Sequence, residues 1–143
     1  MKLSTKCRYG LRAVLQIAEM APASCKRKDI ASEQNLSDSY LENILIMLKS
    51  CGIISTTRGV NGGYVLGRDA RSITLLEVVT ALEGPLSLVD CVSEPGQCGK
   101  SFSCVTRSVW IELSQAWETI LGNQTIYDLV EKRKRLEPCT FSI

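Results

Sequence analysis

The chain contains no histidine, although it contains seven cysteines in 143 residues. Without imidazole it cannot build the Ser–His and Cys–His pairs of many hydrolases, or a zinc or iron site that needs a His ligand. An odd number of cysteines, in a chain expected in the reducing cytoplasm, also argues against a disulfide framework. The cysteines must therefore act, if they act at all, as free thiols or thiolate ligands.

Long hydrophobic runs are missing as well. No apolar run approaches the roughly 18–20 residues that cross a bilayer, and the stretch 11–21 is interrupted by Arg12, Gln16 and Glu19. It is therefore neither a signal peptide nor a membrane span. Hydrophobic residues make up 45% of the chain and charged residues 22%, which is globular composition. We expect a cytoplasmic protein with no membrane partner.

The two halves of the chain have net charges of opposite sign. Residues 1–72 carry eleven Lys and Arg against six Asp and Glu, a net +5, whereas residues 73–143 carry six against nine, a net −3. A basic half joined to an acidic half is a weak indication of nucleic-acid binding on one side and a different role on the other.

The first helix is predicted from Ser4, a good N-cap, to about Met20, and Pro22 ends it. Its apolar residues recur at i, i+3, i+4 and i+7, the spacing of one buried face. This predicted face consists of Leu11, Val14, Leu15 and Ala18.

Two further helices are predicted at 27–34 and 38–51, joined by a tight turn. Asn35 suits the left-handed turn position, and Ser37 caps the second of these helices. An ordinary helical hairpin and a helix–turn–helix are both compatible with this stretch. A polar face near the start of the second helix favours DNA reading, and it consists of Ser39, Tyr40, Glu42 and Asn43.

A β-hairpin is predicted directly afterwards, with strands at 53–57 and 64–66 and a glycine-rich tip between them. Glycines at the tip let the backbone approach a phosphate, and Arg58 suits the negative potential of a minor groove. A solvated turn is the plainer interpretation. A nucleotide-binding loop is disfavoured because no Lys-Ser/Thr pair follows. The candidate DNA-contacting residues are Lys28, Ser37, Ser39, Tyr40, Glu42, Asn43, Arg58, Gly59 and Gly62.

The second half begins with a predicted helix that ends at Leu82 and has a capping box formed by Thr74 and Glu77. A loop is predicted over 88–104, and it contains Cys91, Cys98 and Cys104. Three cysteines in a polar, glycine-containing loop differ from the usual buried thiol. Thiolates bind iron–sulfur clusters, a thiol–disulfide switch is a second interpretation, and structural zinc a third.

A long helix is predicted over about 105–121, followed by a last helix over about 126–135. A heptad seam runs along the long helix through Trp110, Leu113, Trp117 and Ile120. Such a seam favours packing against a second copy of the chain, since aromatic residues are enriched at interface cores. The alternative is an intramolecular core helix. The prediction is a mainly α protein with a small β-hairpin wing: a winged helix–turn–helix region at 1–72, and a sensor and dimerisation region at 73–143.

The sequence resembles the Rrf-type winged-helix transcription regulators over nearly its whole length. The resemblance is carried by Ser-Asp-Ser-Tyr-Leu-Glu at 37–42 together with Arg-Gly-Val-Asn-Gly-Gly-Tyr at 58–64. It implies a homodimer on a pseudo-palindromic site in double-stranded DNA. The alternative from another class is a cysteine-based redox enzyme or a cluster carrier, and the missing His and the missing Cys-x-x-Cys motif predict no enzymatic activity.

Within that family the chain is most similar to the IscR-like iron–sulfur cluster regulators. The resemblance implies a 2Fe–2S or 4Fe–4S cluster on Cys91, Cys98 and Cys104. The fourth ligand in that subgroup is a His three residues after the last Cys, where this chain has Arg107. A related subgroup uses an acidic residue near the start of the first helix, where this chain has Arg8. The candidates left for the fourth position are Cys7, Cys139, Asp90, Glu94 and an added small thiol.

Overall fold

The computed structural model describes residues 3–136 and consists of seven α-helices and one β-hairpin within that range. The predicted fold class, mainly α with a β-hairpin wing, is confirmed. The helices and strands are α1 (Thr5–Met20), α2 (Arg27–Gln34), α3 (Asp38–Ser50), β1 (Ile54–Thr57), β2 (Gly63–Leu66), α4 (Leu75–Glu83), α5 (Asp90–Ser93), α6 (Val105–Gly122) and α7 (Ile126–Leu136).

The core lies between α1, α3 and α4, and α7 packs against α1. The buried face of α1 is not the predicted one, because only Val14 of the predicted set is fully buried. The buried residues of this helix are Cys7, Gly10, Ala13, Val14 and Ile17. Four of them also follow the i, i+3, i+4, i+7 spacing, but with two small residues in the set. A methyl group at Gly10 would collide with Leu82, so the small side chains let α4 approach α1 closely.

The helix–turn–helix forms through local hydrogen bonds and one left-handed residue. Asn35 ends α2 with φ of 53°, as its place in the turn predicted. The Ser37 hydroxyl accepts a hydrogen bond from the backbone N–H of Tyr40 across 3.3 Å and so caps α3. Cap bonds of this kind satisfy N–H groups that have no partner inside the helix.

The hairpin is a two-stranded antiparallel sheet with Ile54 opposite Leu66 and Thr57 opposite Gly63. Cys25 adds a third, one-residue strand, because its backbone N–H and C=O each bond to Tyr64 across 2.8 Å. The hairpin is therefore tied to the segment between α1 and α2, and this tie fixes the hairpin relative to the helix–turn–helix.

The second half contains more helix than predicted. The loop prediction for 88–104 is wrong in part, since α5 and a 3-10 turn at Pro95–Gln97 lie inside it. The backbone carbonyl oxygen of Asp90, the first residue of α5, accepts a hydrogen bond from the backbone N–H of Glu94 across 2.8 Å. The capping box of Thr74 and Glu77 at the start of α4 is confirmed. Among the described helices none is long and apolar enough to span a membrane.

Candidate DNA interface and cysteine loop

The outer face of α3 is exposed where the sequence predicts DNA contacts. Ser39, Glu42 and Asn43 are exposed, whereas Tyr40 is half-buried and packs against the core. Ile46 completes the exposed row, since it lies three residues after Asn43, and it is 58% exposed. Ile46 was not predicted from the sequence, because the predicted exposed face was assembled from polar residues alone. Its i+4 spacing from Glu42 was the available signal.

The hairpin tip, residues 58–62, presents Arg58 to solvent beside an exposed Gly59. Gly59 has φ of 105°, which side chains rarely tolerate, and a Cβ at Gly62 would lie 2.5 Å from the carbonyl oxygen of Thr57. The Ser24 hydroxyl donates to the carbonyl oxygen of Asn61 across 2.5 Å. The tip is thus a tight turn anchored from the α1–α2 segment. Lys28 and Ser37 are exposed on the helix–turn–helix itself.

One residue that the sequence reasoning missed connects the two helices of the helix–turn–helix. The guanidinium of Arg27, at the start of α2, donates to both carboxylate oxygens of Asp38, with N–O distances of 2.9 and 2.8 Å. A third nitrogen of the same group lies 2.7 Å from Oε1 of Glu42. A candidate DNA-contacting carboxylate is therefore already paired with a cation of its own chain.

The cysteine loop, residues 88–104, carries three free thiols at different depths. Cys91 and Cys104 are half-buried, and Cys98 is exposed. The buried hydroxyl of Ser101 lies 2.7 Å from the carbonyl oxygen of Pro95 and 2.8 Å from that of Cys98. This side chain therefore holds the middle of the loop together, and it was not singled out from the sequence.

Cys104 occupies the N-cap position of α6. Its sulfur lies 3.2 Å from the hydroxyl of Thr106. This hydrogen bond, followed by the backbone N–H of Arg107, lowers the pKa of the Cys104 thiol. A lowered pKa favours the thiolate, which is the form that binds metals and attacks disulfides.

Cys7 lies in the core of the chain and is 2% exposed. Burial and the neighbouring carboxylate of Glu83 raise the pKa of its thiol to about 11. Glu83 also accepts hydrogen bonds from the backbone N–H and the hydroxyl of Ser4. These contacts favour Cys7 as a packing residue that joins the start of α1 to the end of α4. Cys139 falls outside the described residues.

The chemistry of the loop suits a thiolate-bound iron–sulfur cluster at three positions, since all three thiols are free and the pKa of one is lowered. Over residues 3–136, however, no three Cys, Asp or Glu side chains lie close enough together to hold a metal ion. Arg107, at the position of the implied fourth ligand, stays protonated and cannot bind a metal. The donor set fits a cluster, but the loop must draw its thiols together to bind one.

The long helix α6 is mostly exposed along its apolar seam. It has 18 residues, and among them only Ser114 is buried. Val105 is 84% exposed and Leu113 41%. Trp117 is half-buried and Trp110 exposed. An exposed apolar stripe of this length on a long helix is typical of a surface that packs against another chain.

A helix–turn–helix with an exposed polar face, followed by an anchored basic hairpin, defines a winged-helix DNA-binding transcription regulator. Residues 3–132 match the model of the Rrf2 family, described as an iron-dependent transcriptional regulator. The chain belongs to the Rrf2 family. The relatives that it matches are transcription regulators and not enzymes.

Three relatives illustrate the similarity. The chain is 35% identical over 140 residues to the HTH-type transcriptional regulator IscR of Klebsiella pneumoniae (strain 342). The aligned region covers 96% of this chain and 84% of that protein. The structure of IscR from T. potens superposes with a TM-score of 0.79 at 30% identity, covering 96% of this chain and 91% of the other. The structure of CymR, the global cysteine regulator of B. subtilis, superposes with a TM-score of 0.76 at 33% identity, covering 92% of this chain and 98% of the other.

Proposed function

We propose that this protein is a cytoplasmic, homodimeric regulator that binds a pseudo-palindromic operator and changes its affinity in response to chemistry at Cys91, Cys98 and Cys104. The observation that carries the DNA-binding part is the exposed polar face of α3 beside a hairpin tied to the α1–α2 segment. A rigid pairing of helix and wing is what base reading requires, since loose elements lose affinity when they become ordered.

In the proposed complex each α3 lies in a major groove, and the two grooves are about one helical turn, or roughly 34–36 Å, apart. Ser39, Glu42 and Asn43 face the bases and phosphates, and Arg58 enters the adjacent minor groove. Tyr40 supports this face from the core side through its half-buried ring. Lys28 and the N-cap Ser37 lie where the backbone phosphates pass.

The second copy of the chain would pack against the exposed seam of α6. This packing would put the cysteine loop at the edge of the interface, because Cys104 is the N-cap residue directly before α6. A change in the loop would therefore shift the start of α6, the helix that sets the distance between the two DNA-binding regions of the dimer. Such a change alters operator affinity only if it favours one arrangement of the dimer over the other.

We assign the loop an iron–sulfur cluster, 2Fe–2S or 4Fe–4S, with Cys91, Cys98 and Cys104 as ligands. A bound cluster would supply a centre that is sensitive to electrons and oxidants. The chain's own contribution is a set of free thiols, one of them with a lowered pKa, and a short helix, α5, that carries Cys91. Asp90, Glu94, Cys7 and an external thiol remain the candidates for the fourth position among the described residues and added ligands.

The test is anaerobic reconstitution with iron and sulfide, followed by assay of bound iron, acid-labile sulfide and visible absorbance. Cys91→Ala, Cys98→Ala and Cys104→Ala should each abolish the absorbance, because loss of one of few thiolates leaves an iron under-coordinated. Cys51→Ala is the matched control, since Cys51 is an exposed thiol at the end of α3. Full iron content in all three loop variants would eliminate the cluster.

A metal-free thiol switch is the second candidate, favoured by one specific observation. The Thr106 hydroxyl and the α6 backbone lower the pKa of Cys104, while Cys98 is exposed in the same loop. In this version the two thiols would be oxidised to a disulfide by a peroxide or disulfide oxidant, with loss of two electrons and two protons. Oxidation of the metal-free protein that changes operator affinity, and is reversed by a dithiol, would support it.

A further inference from the structure

Glu42 has a negative charge, which is unfavourable near DNA phosphates for a residue on a DNA-reading helix. A carboxylate accepts a hydrogen bond from the N4 amine of cytosine, but it also repels the phosphates on both sides of the groove. In this chain the Glu42 carboxylate is paired through Oε1 with Arg27 across 2.7 Å. The positive charge of Arg27 therefore offsets the negative charge of Glu42 on this face.

The Arg27 guanidinium contacts Asp38 as well as Glu42, and the contact with Asp38 fixes its orientation. Two nitrogens of its guanidinium bond to the two oxygens of Asp38 at 2.9 and 2.8 Å. A two-point contact of this kind fixes the plane of the guanidinium, which a single contact does not. Asp38 and Glu42 lie one helical turn apart on α3, so their side chains are neighbours on one face of the helix. The Arg27 guanidinium, once fixed by Asp38, therefore also restricts the Glu42 side chain.

The contact also spans the turn of the helix–turn–helix. Arg27 is the first residue of α2, whereas Asp38 and Glu42 lie in the first two turns of α3. The pairs are at the surface, with about a third to a half of each side chain exposed. We therefore expect a small effect on folding stability, because exposed ion pairs contribute little. Their larger effect should be on where the Glu42 carboxylate points.

We propose that Arg27 is a positioning residue for base recognition: it holds the Glu42 carboxylate through one oxygen and offsets its charge, so that the other oxygen can accept from a cytosine amine. The proposal deepens the proposed function and rests on it. Arg27 itself need not touch a base. Its effect is on the preference for one base pair of the operator, which distinguishes it from a cation that only attracts phosphates.

The experiment uses the full chain and a duplex chosen by the wild-type protein. A library of randomised duplexes is selected for binding, and the resulting consensus is then changed one base pair at a time. Glu42→Gln identifies the base pair that Glu42 reads, as the position where the variant loses its preference. Arg27→Met is then measured on the same set of duplexes, and Lys26→Met serves as the control for loss of one neighbouring exposed cation.

Arg27→Met should reduce the preference at the Glu42 base pair by about five-fold or more, the lower range for a well-placed base contact. Lys26→Met should weaken all duplexes to a similar degree and leave the preference unchanged. Arg27→Lys keeps the charge but not the two-point contact, and it should recover overall affinity more fully than preference. Adding Arg27→Met to Glu42→Gln should change the preference no further.

A uniform loss of affinity in Arg27→Met, equal to that of Lys26→Met and with the preference intact, would overturn the positioning role. So would a loss of preference at a different base pair of the operator, since it would show that Arg27 acts independently of Glu42. Failure of the wild-type chain to select any consensus would instead refute the proposed function. Thermal unfolding of each variant confirms that the compared proteins are folded.

Discussion

The Nε atom of Arg107 donates a hydrogen bond to the backbone carbonyl oxygen of Cys91 across 2.9 Å. This bond joins the first turn of α6 to α5, the short helix that carries Cys91. A cation therefore occupies the position at which the IscR-like pattern has an imidazole. The side chain shapes the loop instead of offering a ligand.

Arg107→His should increase the retention of a reconstituted cluster. A neutral imidazole binds iron, whereas the guanidinium stays protonated and cannot. The measurement is the rate of iron loss to a chelator under anaerobic conditions. Arg107→Leu is the control, because it removes the hydrogen bond to Cys91 without adding a ligand. Equal rates for the two variants would mean that another group already fills the fourth position.

Arg58→Ala should weaken specific operator binding by about 1–3 kcal/mol, as for other groove-contacting arginines. The hairpin should keep its shape, because the tip is held by Gly59, Gly62 and the Ser24 contact and not by the Arg58 side chain. Quantitative gel-shift or anisotropy titration at moderate salt measures the change, with the dimer checked by light scattering. Unchanged affinity would remove the wing from the DNA interface.

Trp110→Glu combined with Trp117→Glu should convert the protein into a monomer or cause aggregation. The two changes place charges on the apolar seam of α6, where burial of an unpaired carboxylate is costly. Light scattering measures the mass. Gln115→Glu is the matched control, because Gln115 is exposed on another side of the same helix. A dimer of unchanged stability would show that the seam is not the subunit interface.

Iodoacetamide should label Cys98 of the native metal-free protein well before Cys7. Alkylation requires the thiolate. Burial and Glu83 raise the pKa of Cys7 to about 11, so at pH 8 this thiol is almost entirely protonated as well as inaccessible. Peptide mass spectrometry of timed samples gives the order of labelling, and both residues should react rapidly in denaturant. Early labelling of Cys7 would show that the start of α1 opens and would favour Cys7 over Asp90 and Glu94 as the fourth ligand.

The local sequence determined where the elements begin and end. Ser37 caps α3, Thr74 and Glu77 form their capping box, and Asn35 takes the left-handed turn, each through contacts within a few residues. The glycine-rich stretch at 58–63 and its flanking strands likewise specified a hairpin. These features were predictable because the interactions that form them lie close together along the chain.

Tertiary contacts decided which faces are buried and which charges meet. Leu11 and Leu15 are larger than Gly10, yet they stay half-buried while Gly10 is buried, because Leu82 of α4 packs directly against the glycine. The contacts of Arg27 with Glu42, of Glu83 with Ser4, and of Arg107 with Cys91 join residues 15, 79 and 16 positions apart. Spacing along the chain carries no signal for such pairs, since their geometry exists only once the helices have packed.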